Sequence, residues 1–273
     1  MSKIFVVDAD PAVWELIRAA LAGEGCDLRY APPGQASLTL FAEEKAELVI
    51  VDLTRQGVAL LEQLSRIQDG PRRLVMSTNP TPELMIGALR QRVCDFLTKP
   101  FTAEELRAAV SNALTACPVN AIEVVSASPE WIELRLPCDL AAVGPLQRLV
   151  AQLAVGLPAA ISEALGYAFR EMLNNAIEHG CKLDPQQRVE ISYIQLKRAI
   201  ICRIKDPGEG FDPGRLEHAA INNPDDDPLR HIFARSEQGM RAGGFGILLT
   251  SQMVDELVYN ERRNELLFVK YLS

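Results

Sequence analysis

Four apolar runs in the N-terminal part of the chain stop at a lone polar side chain. IFVV runs into Asp8, LVIV into Asp52, LVM into Ser77 and DFLT into Lys99. Runs this short and this continuous fit strands buried on both faces, as in a parallel sheet. The amphipathic stretches between them supply the crossover helices that parallel neighbours require. A weaker strand candidate is Asp27–Tyr30. Two helix starts are written into the sequence. Asp10-Pro11 pairs an N-cap residue with a proline at the first helical position, and Thr102 with Glu105 fits a capping box. Residues 1–117 are therefore expected to form a doubly wound α/β unit of (βα)5 type. In open α/β sheets the carboxyl ends of the strands line the ligand crevice, so Asp8, Asp52, Ser77 and Lys99 should meet there. Two carboxylates can hold a hard divalent cation such as Mg2+. A lysine opposite balances added negative charge, and a serine hydroxyl can donate to a phosphoryl oxygen. Lys99-Pro100 suggests a strained or a cis peptide.

Cys117-Pro118-Val119-Asn120 interrupts this pattern, and the domain boundary is placed there. Residues 122–273 read as α+β. IEVVSASPEWIELRLP gives two strands joined at Ser128-Pro129, and helical patterns follow over about 144–155 and 158–180. VEISYIQL and AIICRIKD alternate as a hairpin does, and the chain closes with a helix near 246–255 and the strands ELVYN and ELLFVKYL. Residues 207–243, rich in Gly, Pro, Asp and Asn, are too long for an ordinary connection and read as a functional loop.

The bulk properties exclude several classes. A net charge of −8 argues against non-specific binding to nucleic acid or an anionic membrane surface. No apolar run reaches the ~18 residues of a membrane span, and MSKIFVVDADP lacks the apolar core of a signal peptide. The six cysteines, Cys26, Cys94, Cys117, Cys138, Cys181 and Cys202, form no C-x-x-C pair. They read as small buried hydrophobes, and a reducing, cytoplasmic location is expected.

Three motifs in the second half carry chemistry together. Glu171 and Asn175 in REMLNNAIEHG stand at i and i+4 and project to one side of a helix. They offer a proton acceptor beside a metal-facing oxygen. Asp206 ends a strand and runs into DPGEGFDP, where Gly208 and Gly210 permit close backbone approach. An aspartate there can accept a hydrogen bond from an exocyclic amine such as that of adenine. In AGGFGILLTSQ, Gly243, Gly244 and Gly246 open an apolar helix whose free N–H groups suit an anion. Neither a Walker nor a Rossmann pattern is present. Arg241 reads as a solvated lid residue, His179 as structural, His218 and His231 as lid residues without metal-ligand spacing, Asp225-Asp226-Asp227 as solvated loop, and Trp14 and Trp131 as packing residues.

Residues 1–117 resemble a response-regulator receiver domain of the CheY type. The resemblance implies that Asp52 accepts a phosphoryl group from an upstream histidine kinase. It also implies that Asp8 and Asp52 hold Mg2+, that Ser77 is the switch hydroxyl and that Lys99 is the lysine of the site. Two departures stand out: Ala9 replaces the second acid of the usual adjacent pair, and LTRQGVALLEQL lacks the usual Met-Pro. Residues 122–273 resemble the GHKL ATPase family, and within it anti-sigma-factor serine kinases of the RsbW type. That resemblance implies ATP and Mg2+ as cofactors. Asn175 would be the metal ligand, Asp206 would read adenine, and Gly208 and Gly210 would shape the adenine pocket. Gly244 and Gly246 would sit at the phosphate end, with Glu171 as general base. It further implies a STAS-type anti-sigma-factor antagonist as substrate, a sigma factor as second partner, and a homodimer. A protein that only sequesters a sigma factor is the alternative. A histidine-kinase fragment would need a phosphoacceptor histidine upstream, and no histidine precedes His179.

Overall fold

The computed structural model describes residues 2–31, 40–41, 43–78, 81–115, 122–154, 156–212, 220, 223, 227, 230–237 and 244–272. The chain divides into two compact units, Met1–Val124 and Val125–Ser273. The break expected at Cys117–Asn120 lies outside the described residues.

In the first unit the strands are β1 (Ser2–Val7), β2 (Cys26–Ala31), β3 (Leu48–Asp52), β4 (Arg72–Ser77) and β5 (Asp95–Thr98). They pair in the order β2-β1-β3-β4-β5, all parallel. The described helices are α1 (Pro11–Ala20), α2 (Arg55–Ser65), α3 (Pro82–Arg90) and α4 (Ala103–Thr115). Alternate strand residues face opposite sides, so both faces need cover. Ile4, Val6, Ile50, Leu74 and Met76 pack with Ile17 of α1 and Leu106 and Val110 of α4. Phe5, Val49, Val51 and Val75 point the other way and are equally buried, with Leu61 of α2 and Leu89 of α3 in the same buried set. Both expected starts are built. The Asp10 side chain accepts from the Ala12 N–H at 2.9 Å. The Thr102 hydroxyl accepts from the Glu105 N–H at 3.2 Å while Glu105 accepts from the Thr102 N–H at 2.8 Å.

The second sheet holds β6 (Glu123–Ser128), β7 (Trp131–Pro137), β8 (Arg188–Gln195), β9 (Ala199–Lys205), β10 (Glu256–Tyr259) and β11 (Glu265–Tyr271). Its order is β10-β11-β9-β8-β7-β6. Every described pairing in it is antiparallel. Alternation puts Leu134, Ile191, Ile204 and Phe268 inside. On the other face a ladder of charges crosses four strands: Arg135 to Glu190 at 3.5 Å, Glu190 to Arg203 at 3.7 Å, and Arg203 to Glu265 at 2.5 Å. Trp131, expected to pack, is 46% exposed on this face. Helices α5 (Val143–Leu153), α6 (Ala159–Asn175) and α8 (Gly246–Met253) pack together. Among the described residues of the expected loop 207–243 lies a helix, α7 (Arg230–Glu237).

The reading of the cysteines needs correction. Cys138 and Cys181 form a disulfide that spans 43 residues of sequence, and Cys94 is also disulfide-bonded. Cys26 and Cys202 are free. Widely spaced cysteines meet when the fold juxtaposes the end of β7 and the end of α6, which spacing alone does not reveal. The inference of a reducing compartment thereby loses its premise. No described helix is long and apolar enough to cross a membrane.

Candidate functional site

In the first unit three of the four strand ends deliver their polar side chains to one point, and Ser77 ends the neighbouring β4. The Lys99 ammonium lies 2.6 Å from Asp8 Oδ2 and 2.6 Å from Asp52 Oδ1. The other Asp8 oxygen accepts from the Asp10 N–H at 2.8 Å. Asp8 and Ser77 are buried, and the Tyr30 hydroxyl donates to the Asp8 carbonyl at 2.8 Å. Burial pulls the Lys99 pKa down, but the hydrogen bonds to Asp52 and Asp8 outweigh it and the net shift is upward. The Lys99-Pro100 peptide is cis. Asp10 is spent on capping α1, so this pocket offers two carboxylates, and no cluster of three or more acidic, His or Cys ligands occurs among the described residues. Two carboxylates plus water are a sufficient set for Mg2+, which keeps much of its hydration shell.

In the second unit three separated segments surround one cavity of about 830 Å³. From α6 come Glu171 and Asn175, one helical turn apart. Beyond Asn175 the helix widens into a π turn, Ala176–Gly180, closed by the Cys181 N–H bonding the Ala176 carbonyl at 2.9 Å. Such turns recur at functional positions. This one carries Gly180 against the Asp206 side chain so closely that a Cβ would overlap the carboxylate. Asp206, at the end of β9, lines the cavity with Gly208 and Gly210. Its Oδ1 accepts from the Gly208 N–H at 2.9 Å. Burial raises the Asp206 pKa, and this hydrogen bond opposes the rise. Gly210 has φ +81°, and a side chain there would collide with the Arg262 carbonyl. From the third segment come Gly244 and Gly246, at the start of α8. A Cβ at Gly246 would lie 2.9 Å from Glu171 Oε2, so the carboxylate abuts the helix start. Arg170 stands 3.4 Å from Glu171 Oε1.

Residues 4–111 match the family model of the response regulator receiver domain, and residues 136–270 that of the histidine kinase-like ATPase domain. The chain joins a receiver domain to a histidine kinase-like ATPase domain. The transcriptional regulatory protein GlrR of Escherichia coli K12 is 30% identical over 116 residues, covering 41% of this chain and 26% of that protein. The DNA-binding response regulator MtrA of Mycolicibacterium smegmatis is 32% identical over 111 residues, covering 40% and 48%. The match thus spans less than half the length of either relative. Among solved structures, the receiver domain of NtrX from Brucella abortus is 27% identical, covering 41% of this chain and 98% of that one, with a TM-score of 0.39.

All seven residues expected at the ATPase site (Glu171, Asn175, Asp206, Gly208, Gly210, Gly244 and Gly246) line the one cavity. Of the four receiver residues, Asp8, Asp52 and Lys99 meet at the strand ends, and Ser77 ends β4 with its carbonyl accepting from the Lys99 N–H at 2.7 Å. Arg241, Gly243, His218, Asp225 and Asp226 lie outside the described residues. His179, read as structural, lines the ATPase cavity. His231 is fully buried, its ring nitrogen 2.6 Å from the Asn223 amide and its ring against Phe245. Sequence reasoning missed the wall formed by Phe211, Tyr259 and Arg263. The Phe211 and Tyr259 rings meet edge to face at 5.4 Å, and the Arg263 guanidinium lies 5.9 Å from each ring centre. Burial pushes the Tyr259 phenol up to about 12. The phenylalanine of D-x-G-x-G-F was the available signal. The arginine sits in a turn with no motif of its own.

Proposed function

We propose that this chain is a receiver-regulated, ATP-dependent protein serine/threonine kinase acting on a STAS-type anti-sigma-factor antagonist. One observation carries the reading: a carboxylate, a carboxamide, a strand-end aspartate and two glycine loops converge on a single cavity beside which Glu171 meets the start of α8. Mg·ATP would supply the transferable phosphoryl group and neutralise charge during transfer. The Asp206 carboxylate would accept a hydrogen bond from the exocyclic amine of adenine. The Asn175 side-chain oxygen would hold the metal. The backbone N–H groups opening α8 receive phosphate oxygens. Glu171 takes the proton from the substrate hydroxyl as the new oxygen–phosphorus bond forms and the bond to ADP breaks. Such transfer depends mainly on positioning and electrostatics. Arg170, 3.4 Å from Glu171 Oε1, helps orient that carboxylate.

In the receiver, Asp52 is the acceptor for an upstream histidine kinase, and Asp8 and Asp52 are the carboxylates that would hold Mg2+. Lys99 already bridges both, and one ammonium against two carboxylates leaves a net negative charge for a cation to meet. The same reading includes a cytoplasmic setting, a homodimer and a sigma factor as second partner. The test is incubation of the full chain with γ-labelled ATP, Mg2+ and the STAS-domain protein encoded nearest to it. Label on a serine or threonine of that protein is expected. Capture of a sigma factor with no label transferred would make the chain a binding protein instead.

A further inference from the structure

The turn between β10 and β11 is fitted around the loop that carries Asp206. The Asp206 N–H donates to the Asn264 carbonyl at 2.9 Å. The Asn264 side-chain Nδ2 donates to the carbonyl of Asp206 at 3.1 Å and to that of Gly208 at 3.1 Å. Both hydrogens of one primary amide are thus spent on the two carbonyls that flank Pro207. The opposite end of the amide is engaged as well, because Asn260 Nδ2 donates to Asn264 Oδ1 at 2.9 Å. Asn260 Oδ1 accepts from the Asn264 N–H at 3.2 Å and the Glu265 N–H at 3.3 Å. This network admits one orientation of each amide. A hydroxyl has a single hydrogen to give, and a carboxylate of the same shape has none.

We propose that Asn264 is a positioning residue that sets base selectivity, by clipping the Asp206 and Gly208 carbonyls so that the Asp206 carboxylate faces a purine 6-amino group and rejects a 6-oxo group. The inference deepens the reading of the cavity as an adenine-nucleotide site and rests on it. The Asp206 side chain is hydrogen-bonded within its own short loop: its Oδ1 accepts from the Gly208 N–H, and its backbone is bonded on both sides to Asn264. A guanine oxygen facing a fixed carboxylate is repelled, whereas a loosened loop lets the carboxylate turn away. Discrimination of this kind depends on polar groups that cannot relax. Asn264 lines the cavity, but both of its amide hydrogens are given to the loop.

The test is calorimetric titration of the full chain with Mg2+ and non-hydrolysable ATP and GTP analogues, on wild type, Asn264→Asp and Asn264→Ala, with thermal melts to verify folding. Wild type should prefer the adenine analogue by at least about a hundredfold. In each folded variant that ratio should fall by about tenfold or more, mainly because guanine binding improves relative to adenine. If Asn264→Asp fails to fold, Asn264→Ala removes the donor without adding charge, and its ratio decides. An unchanged ratio in a folded variant overturns the inference, and so does an equal weakening of both analogues, which would mark a purely structural role. Wild type binding neither analogue overturns the reading of the cavity itself, and with it this inference.

Discussion

The two sites solve the problem of concentrated charge in opposite ways. The receiver pocket offsets part of its charge internally: one ammonium bonds two carboxylates, and the third nearby acid caps a helix. The ATPase cavity is an open volume whose shape comes from missing side chains, at Gly180, Gly210 and Gly246. The first site is made by side chains meeting at strand ends, and the second by backbone brought close enough to define a space. Substitutions should therefore remove charge balance in one and volume or chemistry in the other.

The largest effects belong to the ATPase cavity. Asn175→Ala should abolish phosphotransfer, and Glu171→Ala should slow it by about 10²–10⁴ while leaving nucleotide binding intact. Single-turnover transfer beside equilibrium binding separates the two. Undiminished transfer in Asn175→Ala would reject the site assignment. Next comes the receiver. Lys99→Met leaves the buried Asp8 carboxylate uncompensated and should cost about 3 kcal/mol in urea unfolding of the full chain. A variant as stable as wild type would mean that the bridge contributes nothing and that the contrast between the sites is false. Gly210→Ala should cost about 1–3 kcal/mol, from both its φ of +81° and the Arg262 carbonyl it would strike.

A smaller gain tests the receiver from the other side. Ala9→Asp restores an adjacent acid and should tighten Mg2+ binding to the receiver about tenfold, read by fluorescence or calorimetric titration. No change would mean that the added carboxylate does not reach the pocket. The smallest effects concern pH. The Lys99 pKa is raised by its carboxylate partners above the ordinary 10.5, so its stabilisation is fully present below that value and is lost as pH rises through the folded value. Alkaline unfolding should be steeper in wild type than in Lys99→Met. Burial raises the Asp206 pKa above 3.8, so adenine-nucleotide affinity should decline on acidification at a higher pH than an ordinary carboxylate would dictate.

Much of this was legible in the sequence because the receiver writes its pocket in side chains that follow apolar runs. Asp8, Asp52, Ser77 and Lys99 are visible as sequence positions, and parallel topology alone brings them together. The caps at Asp10 and Thr102 were legible for the same local reason. In the ATPase domain the motif residues were visible, but what packs against them was not. Gly180 against Asp206 depends on a π turn that no propensity encodes. Asn264 holds a loop 58 residues earlier through a hairpin turn without a recognisable pattern. The Cys138–Cys181 disulfide and the exposure of Trp131 are likewise tertiary facts: one needs two distant elements juxtaposed, the other depends on which face of the sheet is buried.

The central claim is that α6, the Asp206 loop and the start of α8 form one adenine-nucleotide pocket. Calorimetric titration of the full chain with Mg·ATP tests it most directly, on wild type, Asp206→Asn and Glu171→Ala. The expected result is saturable one-to-one binding by wild type and Glu171→Ala, with binding lost in Asp206→Asn; no heat of binding in wild type, or equal affinity in Asp206→Asn, would contradict it.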